Sequence, residues 1–176
     1  MVLTKAIRFR QAGMVLLISL VVLLLLSLIG LSSMQGAVSQ QKVTASLWHR
    51  NQSLQSAESG LRRGESVVQR LFATLPPCQS IVTCAPPAAA YSVVGAGLDP
   101  VSGITWAALD GGLYGVQALG GAVGLAHLPP QTVADVYRVT AVGLSGQLRT
   151  VLESVYAHVE EEGGSRFRRV AWRQLQ

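Results

Sequence analysis

Charge is scarce in this chain. Charged residues make up 13% of its 176 positions and aromatic residues 6%, and the run from Met14 to Leu31 carries no charge of either sign. Proline is absent between Met1 and Pro76, so nothing in that span forces a helix to break. Two cysteines are too few to close a four-ligand zinc site, and the three histidines, His49, His127 and His158, are scattered without i,i+4 pairing. No serine sits in a nucleophile elbow, and no glycine-rich loop has the phosphate-binding spacing between a strand and a helix. No isolated pair of carboxylates is set for acid and base work, since Glu160, Glu161 and Glu162 read as a solvated run before Gly163 and Gly164. These absences speak against an enzyme, a metal site or a cofactor. The formal net charge is +5, but Lys5, Arg8 and Arg10 at one end and the arginines from Arg166 to Arg173 at the other supply that excess. Neither end presents a basic surface with interleaved aromatics on a folded domain, so nucleic acid is not an expected partner.

What is present begins with the run itself. A secretory signal has an apolar region of about 7 to 15 residues followed by a small-residue cleavage site, and Met14 to Leu31 is longer than that. At 1.5 Å per residue, about 20 residues cross a hydrocarbon core of ~30 Å. The run with its following Ser and Gly therefore reads as one spanning helix. Lys5, Arg8 and Arg10 precede it with no matching cluster beyond Leu31, which places the N-terminus in the cytoplasm. About 145 residues follow the span, enough for one modest domain and not two.

From Val43 to Leu75 apolar or small residues recur at alternating steps of four and three, through Val43, Leu47, Leu54, Ala57, Leu61, Gly64, Val68, Leu71 and Leu75, with Arg50 as the one interruption. That is a helical stripe, and it predicts one helix from Met14 to Phe72, half in lipid and half packed on a domain. Gly30 and Gly36 are weak helix formers, so a loosening near the membrane exit is expected, and two helices with a hinge are the alternative. Beyond it, Pro76, Pro77, Pro86 and Pro87 bracket Cys78 and Cys84 in a loop. YSVVGA, GITWAAL, DVYRVTAVG and LRTVLESVYAHV read as strands from their β-branched and aromatic content, the last two joined by the hairpin signal LSGQ. Tyr137, Val139 and Ala141 should point one way and Val136, Arg138, Thr140 and Val142 the other. The glycine-rich DGGLYGVQALGGAVG fits a loop or an irregular strand equally well. Cys78 and Cys84, six apart in an oxidising compartment, are read as a small surface disulfide.

A short basic leader ending in Gly13, then one long helix half in the membrane and half on a small β-sheet, resembles a type IV prepilin. The resemblance is carried by RQAG at residues 10–13, by the apolar run from Met14, and by RNQSLQSAESGLRRGE at residues 50–65. That last stretch is similar to the PilX group of minor pilins, as are VYRVTAVG, LESVYA and the closing RRVAWRQL. Residues 73–133 resemble nothing nameable. The resemblance implies an α+β, type IV pilin-like fold with a long N-terminal helix on a small antiparallel β-sheet. It divides the chain into a cytoplasmic leader (1–13), a transmembrane half-helix (14–34), a periplasmic half-helix (35–75) and a β-rich head (76–176).

The resemblance also implies a processing chemistry. In type IV prepilins a membrane-embedded aspartyl peptidase cuts on the cytoplasmic side after the leader glycine and methylates the new N-terminus, which here would be the Gly13–Met14 bond and Met14. A residue without Cβ lets the backbone enter a narrow cleft in extended form; the alternative is that Gly13 merely starts the helix of an uncut anchor. Major pilins usually begin with phenylalanine and carry a glutamate at the fifth mature position, where this chain has Met14 and Ile18. In the family that glutamate is thought to meet the N-terminus of the neighbour above, so Ile18 suits a subunit at or near the filament tip. The expected function is a minor pilin that primes type IV pilus assembly and supports twitching motility and adhesion. Its expected partners are other minor pilins, the major pilin, the prepilin peptidase, the inner membrane and a large PilY-type tip adhesin. The chain would be single-pass in the inner membrane before assembly and in the pilus afterwards. The alternatives are a minor pseudopilin of a type II secretion system and a pilus-borne adhesion or aggregation module carried by residues 73–133.

Overall fold

The computed structural model describes residues 5–161 and 164–176, the side chains of residues 5–12 and 35 excepted. Most of the leader's side chains, with Lys5, Arg8 and Arg10 among them, lie outside that description, as do Glu162 and Gly163 of the acidic run. Two compact units divide the chain, Met1–Ser46 and Leu47–Gln176.

One α-helix, α1, runs from Lys5 to Leu71. It passes through Gly30 and Gly36 without a break, so the expected loosening and the two-helix alternative are both corrected. The flanking leucines and the proline-free sequence outweigh two single glycines, each costing about 1 kcal/mol. The helix gives way to a 3₁₀ turn at Phe72–Thr74, and Leu75 is extended, as the residue before Pro76 must be.

In the unit Leu47–Gln176 the last turns of α1 lie on a six-stranded antiparallel meander. Its strands are β1 (Gly97–Leu98), β2 (Thr105–Leu109), β3 (Gly112–Ala122), β4 (Ala134–Ser145), β5 (Leu148–Glu161) and β6 (Gly164–Gln174), paired in chain order. β4 and β5 close at Ser145↔Leu148 around the two-residue turn Gly146–Gln147. On the helix side Tyr137, Val139, Ala141, Leu152 and Tyr156 pack with Ala57, Leu61 and Val68 of α1. On the other side Val142, Val151, Leu113 and Trp106 pack with Ala90 and Ile104, so the irregular stretch before β2 serves as the second cover. Tyr137, Val139 and Ala141 thus face the helix and Val142 the other way, as the period of two requires.

Helix and sheet approach closely where glycine allows it. A Cβ on Gly64 would strike the side chain of Val139, and one on Gly143 of β4 would strike the carbonyl of Ser53. The buried face of α1 is accordingly Ser53, Ala57, Gly60, Leu61, Gly64, Glu65 and Val68, which keeps Ala57, Leu61, Gly64 and Val68 of the apolar stripe and widens it with Ser53, Gly60 and Glu65. Leu54 is only half-buried, and Val43, Leu47 and Leu71 are exposed, Leu47 at 53%. The stripe fails at its ends because the sheet reaches only part of the helix.

Two further expectations are corrected, and one left open is decided. YSVVGA is no strand: Ala88–Tyr91 form a 3₁₀ turn after Pro87, and the first strand is the two-residue β1, Gly97–Leu98. The glycine-rich middle is strand β3, eleven residues long. The basic C-terminal run, expected not to present a surface on a folded domain, is the edge strand β6 of that domain.

Candidate functional site

Every side chain described between Gly13 and Leu47 is exposed, and the helix from Gly13 is long and apolar enough to cross a membrane. Met14 is 64% exposed and Ile18, the fifth residue counted from it, 57%. Gly13 itself is helical, with nothing within 4 Å of where a Cβ would stand. The one hydroxyl in the first half of the run is satisfied locally, Ser19 Oγ donating to the Leu16 carbonyl at 2.8 Å, which removes the cost of carrying a polar group into hydrocarbon. Nothing in this segment can neutralise a cation: the first carboxylate after Met14 is Glu58.

The second group of functional interest ties the helix to the sheet. Glu65 on α1 is buried, and its carboxylate accepts two bonds from Arg169 Nη2 of β6 at 2.7 and 2.9 Å and one from Ser154 Oγ of β5 at 3.0 Å. The Arg169 guanidinium stands 5.6 Å from the centre of the Tyr156 ring. Burial first, and then neighbouring Glu65, hold the Tyr156 phenol above its ordinary pKa. Burial works against the charge on Arg169, and Glu65 and Tyr156 together outweigh it, so the guanidinium is held above its ordinary value. On the opposite face buried Glu153 is ion-paired with Arg138 at 3.2 Å and Arg173 at 2.8 Å. Burial pulls Arg138 below its ordinary value while Glu153 resists. The arginines of β6 are thus largely engaged within the fold. Arg166 meets Glu161 at 3.5 Å, and Arg168 donates to the His127 carbonyl at 2.6 Å.

The third group is the loop after α1. Cys78 and Cys84 form a disulfide with Cα atoms 5.3 Å apart. Inside the ring Ser80 and Thr83 make a reciprocal capping box that starts the single turn α2, Ile81–Cys84. Three bonds fasten the ring to the sheet: Cys78 N–H to the Ala118 carbonyl at 2.8 Å, Gln117 Nε2 to the Thr83 carbonyl at 2.6 Å, and Arg138 Nη1 to the Cys84 carbonyl at 2.7 Å. Ile81 at its tip is 92% exposed.

Of the site residues expected from the sequence, Gly13, Met14 and Ile18 come first along the chain, and Cys78 and Cys84 follow in the loop after α1. The first three lie in one unit and the cysteines in the other. His49 Nδ1 lies 2.9 Å from Ser145 Oγ. His158 is buried between Phe72 and Phe167, ring centres 4.2 and 4.8 Å away. Among the described residues no group of His, Cys, Asp and Glu gathers in a metal-ligating cluster. Sequence reasoning missed Glu65, Glu153 and the arginines that meet them. The available signal for Glu65 was its place beside Gly64 in the stripe, since a carboxylate on a helix's packed face requires a cation across the seam.

Compared with known proteins, residues 12–62 match the family described as PilX N-terminal. No curated protein and no solved structure matches the chain.

Proposed function

We propose that this chain, whose residues 12–62 match the PilX N-terminal family, is a minor pilin that primes type IV pilus assembly from the inner membrane and ends at or near the filament tip. The observation that carries the reading is the coincidence of that family match with an exposed apolar helix lacking any carboxylate from Met14 to Leu31. In this reading residues 1–13 are a cytoplasmic leader cut between Gly13 and Met14, and Met14 is then N-methylated. Residues 14–34 hold the precursor in the inner membrane as a single pass and later enter the helical bundle of the filament. Ile18 offers the terminal amine of a neighbour no counter-charge, and an amine left unpaired in an apolar bundle is costly. A subunit of this kind therefore fits best where no neighbour stands above it. Its partners would be other minor pilins, the major pilin, the prepilin peptidase and a large tip adhesin, with twitching motility and adhesion as the outcomes served. A match to the PilX family favours this reading over a type II secretion pseudopilin.

The test is deletion in a piliated host. Loss of the chain should sharply reduce the number of surface pili seen by electron microscopy, abolish twitching, and leave the amount of major pilin unchanged, because initiation is what fails. Mass spectrometry of the protein from native membranes should find a methylated Met14 as its N-terminus. Normal pilus numbers in the deletion strain, or an intact leader in a host with active peptidase, would refute the corresponding step.

A further inference from the structure

The sheet has a gap inside its own outline. β2 pairs with β3 only through Ala107–Leu109 against Gly112–Tyr114, and Thr105 pairs instead with Leu98 of β1. Farther along β3, Pro77 bridges Ala118, and Cys78 N–H donates to the Ala118 carbonyl at 2.8 Å. Between these two contacts β3 has β4 on one side and no strand on the other. Successive residues of a strand send their backbone groups to alternate edges, so the bonded Ala118 carbonyl fixes the N–H and C=O of Val116 on the same open edge. Among the described residues, no residue of β2 is in register with Val116.

That edge opens into a groove of about 530 Å³ between the start of β2, the disulfide loop and the end of α1. Val116, Tyr114, Leu75 and Pro77 give it an apolar surface, and no carboxylate, ammonium, guanidinium or imidazole lines it. We propose that this wedge accepts an extended, uncharged segment of a partner protein as a short added strand on β3, with the N–H and C=O of Val116 as its ladder bonds. A charged ligand would lose its water here with no counter-charge to replace it. A purely apolar molecule would leave both Val116 groups without partners. An uncharged extended backbone satisfies both conditions, in the manner of strand addition at a sheet edge. The Cys78–Cys84 ring closes one end and Thr105 the other, so the occupant is short and its register is set by the fold. This assignment does not depend on where the chain sits in a filament.

The test uses the full-length chain in detergent micelles, with amide hydrogen exchange read at Val116 and at Val139, which has strands on both sides. The probes are an end-blocked peptide of alternating threonine and valine and its fully N-methylated counterpart. In the free protein Val116 should exchange fast and Val139 slowly. Saturating unmethylated peptide should slow Val116 by at least about tenfold, the equivalent of a hydrogen bond gained, and the methylated peptide should not. Thr105→Trp, at the exposed rim, should fill the groove and abolish that protection with an unchanged Tm. Protection of Val116 without peptide would overturn the proposal, since β2 would then be closing the wedge itself. So would equal protection by both peptides, or none at millimolar peptide.

Discussion

Leu61 and Glu65 lie one turn apart on the packed face of α1 and are held there by opposite physics. Leu61 is buried among apolar neighbours, and removing such a side chain from water is worth about 1.5–3 kcal/mol. Glu65 is tolerated only because Arg169 and Ser154 replace the water it lost. Leu61→Asp would place a second carboxylate on that face with Arg169 already committed to Glu65. We expect a loss of about 3–5 kcal/mol, against about 2–4 for Leu61→Ala. Thermal denaturation of the chain in micelles reads both, and an aspartate variant as stable as the wild type would mean that this face does not meet the sheet. A pH effect belongs to the same scale. Burial, and then Asp135 for Tyr137 and Glu65 for Tyr156, raise both phenols above the ordinary value of 10.0. The folded state therefore prefers the neutral phenols, so their contribution is fully present below about pH 10 and is lost as pH rises through the folded values. A tyrosine ring NMR titration should show both ionising late, and Glu65→Gln should bring Tyr156 earlier while leaving Tyr137 in place. Ionisation of both at the ordinary value would contradict the packing described around them.

At the scale of elements, the loop after α1 is the one segment held by a covalent bond. Closing a ring of this size restricts the unfolded chain by about 2 kcal/mol in the entropic account. Cys78→Ser with Cys84→Ser should lower stability by about that amount and leave the β4–β5 hairpin intact by circular dichroism. Non-reducing peptide mapping of the wild-type protein should recover the two cysteines linked, and free thiols in oxidised protein would end the idea. How legible each element was follows from where its stabilisation comes from. β4 and β5 announce themselves through VYRVTAV, LRTVLESVYAHV and the LSGQ turn, because their own side chains form the core. β3 is obscured by Gly112, Gly115, Gly120 and Gly121, which carry no strand signal; its ladder with β4 supplies the order. β6 carries no strand reading in the sequence because Glu65, Glu153 and Glu161, which engage Arg169, Arg173 and Arg166, come from other elements. The same non-local pairing widens the packed face of α1 to include Ser53, whose hydroxyl lies 2.8 Å from Thr150 Oγ1. The groove beside Val116 was invisible for a further reason: a gap in a ladder exists only once the ladder does.

At the scale of the whole molecule, the distribution of charge carries the functional argument. The unit Met1–Ser46 has no carboxylate anywhere in its sequence, and the carboxylates of the other unit begin at Glu58. If Ile18 marks a subunit with no neighbour above it, a carboxylate at that position gains nothing. Ile18→Glu should then be incorporated no better than the native chain and should insert or prime less well, because its charge is desolvated without an amine to meet it. An unpaired carboxylate within a bilayer costs at least about 2.5 kcal/mol, well over tenfold in an equilibrium. Pilus counts by electron microscopy together with the amount of this chain in sheared filaments decide the matter. Fewer pili with unchanged major pilin would fit a priming subunit at the tip. Were the variant instead more abundant along the filament with pilus number maintained, the added glutamate would have found a neighbour's amine, and the chain would be a shaft subunit whose position Ile18 does not determine.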